Sequence, residues 1–175
     1  MKSLDESIEM NVGGLTLDPA TKSPIVVLRD AANTVNLPIW IGLLEATAIA
    51  TELEGIEMAR PMTHDLLRNM IGELGGEVQR VEISDLRDNT YYARIHIRTS
   101  GGARVVDSRP SDAISLALRV KSPIFVARKV LQASESTVRV AESANEADAD
   151  LSNVSREKWS EILEKMSPDD FKYKM

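Results

Sequence analysis

The chain has 175 residues, 43% of them hydrophobic but with only two Trp, three Tyr and two Phe, so we expect one core built mainly from aliphatic side chains. Its formal net charge of −6 excludes the broad basic surface of a general nucleic-acid binder, so contact with a polyanion needs a local patch or metal ions. The absence of cysteine excludes disulfides and thiolate metal sites. We expect no membrane segment and a cytoplasmic location, because no apolar run approaches the roughly 18–20 residues of a span and the N-terminus is acidic.

Three strands are predicted in the N-terminal part of the chain. Weak alternation predicts the first over residues 7–18, and denser apolar runs predict the second over 24–30 and the third over 36–41. The short connection between the last two runs favours a hairpin. Pro38 favours an edge or strand-start position for the third strand, because proline has no N–H to donate to a ladder.

Two helices are predicted next. Aliphatic residues at helical spacing predict the first over 42–55, with Gly55 just past its end. Thr63 is predicted as the N-cap of the second helix, and Gly75 and Gly76 end it. The apolar stripe of this second helix has five members: Leu66, Leu67, Met70, Ile71 and Leu74.

The second half of the chain alternates again between strand and helix patterns. We predict a hairpin of two strands over residues 77–86 and 90–99 and a third strand over 103–108. A helix with Pro110 in its first turn follows over 109–121, then a short strand over 123–127 and a last helical turn over 128–134. Strands and helices are mixed without a regular βαβ repeat. We therefore predict an α+β fold in which a largely antiparallel or mixed sheet is flanked by helices.

The composition changes near residue 134, which predicts three regions. Residues 1–133 form the main domain, 134–153 a linker with almost no apolar pattern, and 154–175 an amphipathic helical tail. The tail either docks on the domain or binds a partner. Short edge strands and exposed side chains such as Ile39 and Trp40 predict a homo-oligomer.

Two similar strings, RPMTHDLL (60–67) and RPSDAISLAL (109–118), each begin a predicted helix. Proline at a first helical position, a hydroxyl cap and an early aspartate explain most of both strings without any function. The helix-start pattern leaves Arg60 and Arg109 unexplained. An arginine beside exposed helix N–H groups is a reasonable phosphate receptor, and this interpretation is compatible with capping.

The strand at residues 90–99 has one basic face. Alternation places Tyr92, Arg94, His96 and Arg98 on the same side, which suits contact with a phosphate backbone. The alternative is a solvated face whose arginines pair across strands with Glu82.

Glu45 lies next to the apolar face of the first predicted helix. A partly buried carboxylate at this position requires a partner. The sequence leaves open whether that partner is an arginine or a metal ion.

Three segments together resemble a known family: LPIWIGLLEATAIA (37–50), RPMTHDLL (60–67) and VVDSRPSDAISLALRVKSPIFV (105–126). In this order and spacing they are similar to the bifunctional nuclease family, over roughly residues 7–133. The resemblance implies an α+β domain that cleaves both DNA and RNA with little sequence specificity. It carries over no defined set of catalytic residues.

Phosphodiester cleavage would limit the roles of the residues in these segments. Glu45, Asp107 and Asp112 are the expected ligands of a Mg²⁺ or Mn²⁺ ion that activates water. His64 is the expected general base or acid, and phosphate is expected at four arginines: Arg60, Arg94, Arg98 and Arg109.

A non-enzymatic binding or regulatory module of the same fold is the alternative, acting through protein–protein contacts. Convergence of the acidic residues and His64 in a cleft would favour the enzyme. Separate caps and ion pairs would favour the module.

Overall fold

The computed structural model describes the backbone of residues 6–141 and the side chains of residues 6–134. This part of the chain contains seven strands and four helices. The strands are β1 (Ser7–Leu17), β2 (Pro24–Asp30), β3 (Asn36–Trp40), β4 (Glu77–Arg87), β5 (Thr90–Thr99), β6 (Gly102–Ser108) and β7 (Ile124–Ala127). The helices are α1 (Leu43–Leu53), α2 (Thr63–Glu73), α3 (Pro110–Val120) and α4 (Arg128–Ala141). None of the helices within residues 6–141 is long and apolar enough to cross a membrane.

All seven strands form one mixed sheet in the order β3-β2-β1-β7-β4-β5-β6. Every neighbouring pair is antiparallel except β4 and β7, which are parallel. The predicted α+β class and both predicted hairpins, β2–β3 and β4–β5, are confirmed. Strand β3 lies at an edge of the sheet, as Pro38 predicted.

The sheet is strongly curved around its buried face. The Tyr91 hydroxyl on β5 donates a hydrogen bond of 3.3 Å to the Pro38 carbonyl on β3, although four strands separate β5 from β3 in the sheet. Alternation along β5 buries Ala93 and Ile95, which pack with buried helix residues such as Ile114. Full burial of each large aliphatic side chain contributes roughly 1.5–3 kcal/mol, so this face is the main source of stability.

Helices α2 and α3 both carry an aspartate at their third position, but their caps differ from those predicted. Met62 rather than Thr63 is the N-cap of α2, and the Asp65 carboxylate accepts a 2.9 Å bond from the Met62 N–H. Arg109 is the N-cap of α3, so Pro110 occupies the first helical position and Ser111 the second. The hydroxyl residues are therefore not caps, because each lies inside its helix.

One further prediction needs correction, and the last helix is longer than predicted. Ile39 is buried in the core, so only Trp40 of the predicted exposed pair lies at the surface, where its indole N–H donates to Asp18. Helix α4 continues to Ala141, eight residues past the boundary predicted at 133. The rest of the predicted linker and the predicted tail lie outside the described residues, so the division into three regions remains a prediction.

Candidate functional site

The N-terminal turns of α1, α2 and α3 meet at one side of the helical layer. Each helix has a carboxylate at its third position: Glu45 in α1, Asp65 in α2 and Asp112 in α3. A negative charge in the first turn complements the positive end of the helix dipole, which accounts for the repeated position of these acids. Side-chain contacts then connect the three helices.

Arg109 lies between two of these carboxylates. Its Nη1 donates to Glu45 Oε1 at 2.8 Å, while Nε and Nη2 donate to the two oxygens of Asp112 at 2.7 and 3.1 Å. The hydrogen bonds with Asp112 and then Glu45 raise the pKa of Arg109 above its usual value. The Arg109 side chain remains 54% exposed, so part of the guanidinium faces solvent.

His64 contacts the same aspartate. Its Nε2 lies 3.0 Å from Asp112 Oδ1, and because a carboxylate only accepts, Nε2 carries the proton in this bond. This hydrogen bond, reinforced by Arg109 and opposed by burial, lowers the pKa of Asp112 to about 2. No hydrogen bond joins Nδ1 of His64 to the part of the chain that the structure describes. Nδ1 is thus the ring nitrogen that is not already bonded to Asp112.

A second ion pair lies deeper between α2 and α3. The Arg119 side chain is 1% exposed, and its Nε donates to Asp65 Oδ1 at 2.8 Å. Its other nitrogens donate to the carbonyls of Ser115 and Ala48 at 3.0 Å, which links α3 to α1. Burial acts to raise the pKa of Asp65, but the Met62 N–H and Arg119 outweigh it and hold that pKa below its usual value.

Arg119 is the residue that the sequence predictions missed. A signal was present, because Ser111, Ser115 and Arg119 follow one another at four-residue intervals in a helix whose only other polar residue is Asp112. An arginine on such a buried face requires a carboxylate. The residues alone did not show that Asp65, 54 positions earlier, is that carboxylate.

Asp107 does not join the carboxylates that it was grouped with. It is the cross-strand partner of Arg94, and cross-strand partners share a face of the sheet. Arg94 is exposed while its neighbours Ala93 and Ile95 are buried, so Asp107 lies on the sheet face opposite the helices. The structure therefore separates Asp107 from Glu45 and Asp112.

The predicted metal ligands do not fit a divalent ion. Within the described part of the chain, no group of three or more His, Asp or Glu side chains could hold a metal. Glu45 and Asp112 already bind the Arg109 guanidinium, which would oppose a second cation between them. Use of Mg²⁺ or Mn²⁺ remains a prediction.

The arginines predicted to bind phosphate lie in different places. Arg60 is exposed before α2 and forms no ion pair with the described residues, so no charged contact joins it to the Arg109 network in that part of the chain. Arg98 pairs with Glu77 on the outer sheet face. On the same face His96 pairs with Glu82 at 3.2 Å, and Arg94 stands opposite Glu82 and Asp107 in register. Acids thus offset the cations on that face.

One cluster of side chains could take part in a reaction. It is defined here as the Arg109 network: Glu45, His64, Arg109 and Asp112. A histidine oriented by an aspartate can accept or give a proton, and an exposed guanidinium can bind a phosphate. Protein relatives give this cluster a context.

Comparison with known proteins identifies the family. A family model described as the bifunctional nuclease domain matches residues 26–139. Uncharacterized protein Rv1829 of Mycobacterium tuberculosis (strain ATCC 25618 / H37Rv) is 41% identical over 164 residues, which is 94% of this chain and 98% of that protein.

Two plant relatives carry a functional name. Bifunctional nuclease 1 of Arabidopsis thaliana is 31% identical over 75% of this chain, and Bifunctional nuclease 2 of Oryza sativa subsp. japonica is 30% identical over 81%. The matches span 41% and 44% of those longer proteins. The match to the domain model confirms the resemblance seen in the sequence, and the chain belongs to the bifunctional nuclease domain family.

Proposed function

We propose that the protein hydrolyses phosphodiester bonds of DNA and RNA with little sequence specificity, and that the reaction takes place at the Arg109 network. The observation that carries this proposal is the contact of Asp112 with both His64 and the half-exposed Arg109. That arrangement places a proton-transfer group beside a phosphate-binding group. Membership of the family and the names of the plant relatives support the same chemistry.

Each residue has a defined role in this proposal. Arg109 binds a phosphoryl oxygen of the substrate and offsets the charge that develops there. Water attacks the phosphorus while Nδ1 of His64 accepts its proton; the bond from phosphorus to the leaving oxygen breaks, and His64 returns the proton to that oxygen. Asp112 holds the ring by its Nε2–H and stabilises the imidazole while it is charged. Glu45 positions Arg109 by accepting from Nη1.

Hydrolysis by highly purified protein tests the proposal. The rate on single- and double-stranded substrates is measured for the wild-type protein, His64→Gln and a matched control, His96→Gln, because the chain has only two histidines. Both histidines bond a carboxylate, but His96 does so on the opposite face of the sheet. We expect His64→Gln to lower the rate by about 10²-fold or more and His96→Gln to leave it unchanged.

Two results would contradict the proposal. Equal rates for the two variants would exclude the Arg109 network as the site, and activity that disappears on further purification would belong to a contaminant. Parallel reactions with EDTA, Mg²⁺ and Mn²⁺ test the predicted use of a metal.

A binding or regulatory module is the second candidate, and the charge of the network favours it. Two carboxylates surround one arginine, and both are already ion-paired within the domain. An incoming phosphate would have to compete with them for Arg109. Purified protein with no hydrolysis under any of these conditions would support this candidate.

A further inference from the structure

Helix α2 turns most of its apolar side away from the domain. None of its residues is buried, and Leu66, Met70 and Leu74 are 53%, 52% and 80% exposed. Ile71 packs against the core, but the other large aliphatic side chains of α2 stay more than a third exposed in the part of the chain that the structure describes.

These exposed side chains form one continuous surface, defined here as the α2 stripe: Leu66, Leu67, Met70 and Leu74. Residues four apart adjoin on a helix, so Leu66, Met70 and Leu74 follow one another in a row, with Leu67 beside them. Together they expose roughly 400 Å² of apolar surface, a size that marks an interaction site.

The tail predicted at residues 154–175 carries a second apolar row. Four of its residues recur at helical spacing: Trp159, Ile162, Leu163 and Met166. Isolated helices shorter than roughly 12–15 residues are marginal in water, because nucleation costs more than so few hydrogen bonds return. The tail therefore needs an apolar surface to be stably helical. Its residues lie outside the part of the chain that the structure describes.

We propose that the tail packs its apolar row against the α2 stripe of the same chain, as a helix antiparallel to α2. The two rows have nearly the same length, about two helical turns, so they match along their whole extent. Leu163 lies beside Met70 at the centre of the contact. Trp159, the largest side chain of its row, lies beside Leu74, the most exposed member of the stripe.

Charge favours the antiparallel direction. Lys158 precedes Trp159, so it lies near the C-terminal turn of α2, where the helix dipole is negative and Glu73 is exposed. The two aspartates at residues 169–170 follow the apolar row and lie near the N-terminal turn of α2. There the dipole is positive and the exposed Arg60 precedes the helix. A parallel arrangement would instead place Lys158 near Arg60.

The chain between α4 and the tail is long enough for this contact. Helix α4 ends at Ala141, and residues 142–153 span roughly 40 Å when extended, whereas a domain of this size has a radius of gyration of roughly 14 Å. Val130 of α4 and Ile71 of α2 pack into the same core, so both helices lie on the buried face of the sheet. The tail reaches α2 without passing around the sheet.

The tether also makes a small contact area sufficient. A flexible linker of this length holds the tail at an effective concentration in the mM range near the domain. A contact too weak to join two separate molecules at μM concentration is then still formed within one chain.

Tryptophan fluorescence of the full-length protein tests the contact. The chain has two tryptophans, so Trp40→Phe leaves Trp159 as the single emitter. We expect Trp159 to emit at shorter wavelength than free tryptophan in water, because Leu74 and its neighbours cover the indole. Leu74→Lys should return the emission to that of a solvated indole. Val105→Lys is the matched control and should leave it unchanged, because Val105 is exposed on β6 opposite His96, on the other face of the sheet.

Cysteine cross-linking provides the second measurement, since the chain has no cysteine of its own. We expect Met70→Cys/Leu163→Cys to form a disulfide within one chain under mild oxidation at about 1 μM protein, where the tether favours the internal link. Val105→Cys/Leu163→Cys should not form it. Non-reducing electrophoresis separates internal links from links between chains, and mass spectrometry identifies the joined peptides.

A third pair of variants tests the direction of the tail. Leu74→Cys/Trp159→Cys should link efficiently and Leu66→Cys/Trp159→Cys poorly, so equal yields would contradict the antiparallel arrangement. Two results would overturn the proposal as a whole. One is a solvated emission from Trp159 while the stripe is intact, and the other is a Met70→Cys/Leu163→Cys disulfide that joins two chains rather than closing one. Either result would leave the stripe to a different partner.

Discussion

The Arg119 guanidinium on α3 lies 2.8 Å from a carboxylate oxygen of Asp65 on α2, and this buried ion pair fixes the position of a helix that buries no residue of its own. Arg119 is almost fully enclosed, with its remaining nitrogens bonded to carbonyls of α1 and α3. Two side-chain ion pairs therefore connect α2 to α3, in addition to the packing of Ile71 against the core. Since His64 precedes Asp65 in α2, the same pair also determines where His64 lies.

Removal of the Asp65 charge is expected to destabilise the domain strongly. Asp65→Asn leaves the buried Arg119 cation without a counter-charge, for which the typical cost is about 3–5 kcal/mol. Urea denaturation followed by circular dichroism measures the free energy of unfolding. Arg119→Met in the same chain should recover part of the loss, because the uncompensated charge is then removed.

Arg98→Ala is the matched control for this prediction. Arg98 also forms an ion pair with a carboxylate, Glu77, but both side chains are exposed, so we expect no measurable change in stability. Comparable losses in Asp65→Asn and Arg98→Ala would show that burial of the Arg119 pair does not determine its contribution.

Acid is expected to weaken the fold through Asp112. Its pKa is about 2 in the folded protein, below its ordinary value of 3.8, so the folded state binds this proton less readily than the unfolded state. The resulting stability is fully present above about pH 4 and is lost as the pH falls through about 2. We expect the free energy of unfolding to decrease across that interval.

The Asp112→Asn variant isolates this contribution. It should be less stable than the wild-type protein at pH 7, and the difference should shrink as the pH approaches 2, because Asp112 itself becomes protonated there. Unfolding free energies of the two proteins at several pH values provide the measurement. A difference that stays constant down to pH 2 would be incompatible with the hydrogen bond and ion pair as the source of stability.

The two aspartates that flank Arg109 in the sequence are expected to differ in their effect on hydrolysis. Asp112 contacts His64 and Arg109, whereas Asp107 lies on the opposite face of the sheet. If the protein is a nuclease as proposed, Asp112→Asn should lower the rate by about 10²-fold, while Asp107→Asn should retain it. Rates of both purified variants on the same substrate decide the point, and a large loss in Asp107→Asn would contradict the assigned site.

The local sequence pattern predicted the sheet well. Alternation in residues 90–99 identified the buried face that includes Ala93 and Ile95, and the hairpins followed from neighbouring strands with short turns. These features depend on residues that are close in sequence. Ile39 was misjudged because its burial depends on distant parts of the curved sheet.

The candidate site was predicted only in part, since it depends on contacts between distant residues. The segment at residues 105–126 grouped Asp107 with Asp112 as metal ligands, but β6 ends between them and leaves Asp107 on the sheet face opposite the helices. Periodicity identified the apolar stripe of α2, but it could not show that the stripe faces solvent. The link between Arg119 and Asp65 likewise required the packing of two helices.

Gly42→Ala is expected to disturb the Arg109 network without unfolding the domain. Gly42 is the N-cap of α1 with φ of −75°, which alanine adopts readily, but an added Cβ would lie 2.1 Å from Glu45 Oε2. The Glu45 carboxylate must therefore move, and it is the end of a flexible side chain. We expect a loss of stability of about 1 kcal/mol or less, together with loss of the contact between Glu45 and Arg109.

A double-mutant cycle with Arg109→Ala detects that loss independently of any enzymatic activity. Gly42→Ala and Arg109→Ala break the same contact, so the destabilisation of the double variant should be smaller than the sum of the two single effects. The coupling energy between Gly42→Ala and Arg109→Ala is calculated from the unfolding free energies of four proteins: the wild type, the two single variants and the double variant. Effects that add within about 0.3–0.5 kcal/mol would show that Glu45 keeps its bond to Arg109 when alanine replaces Gly42.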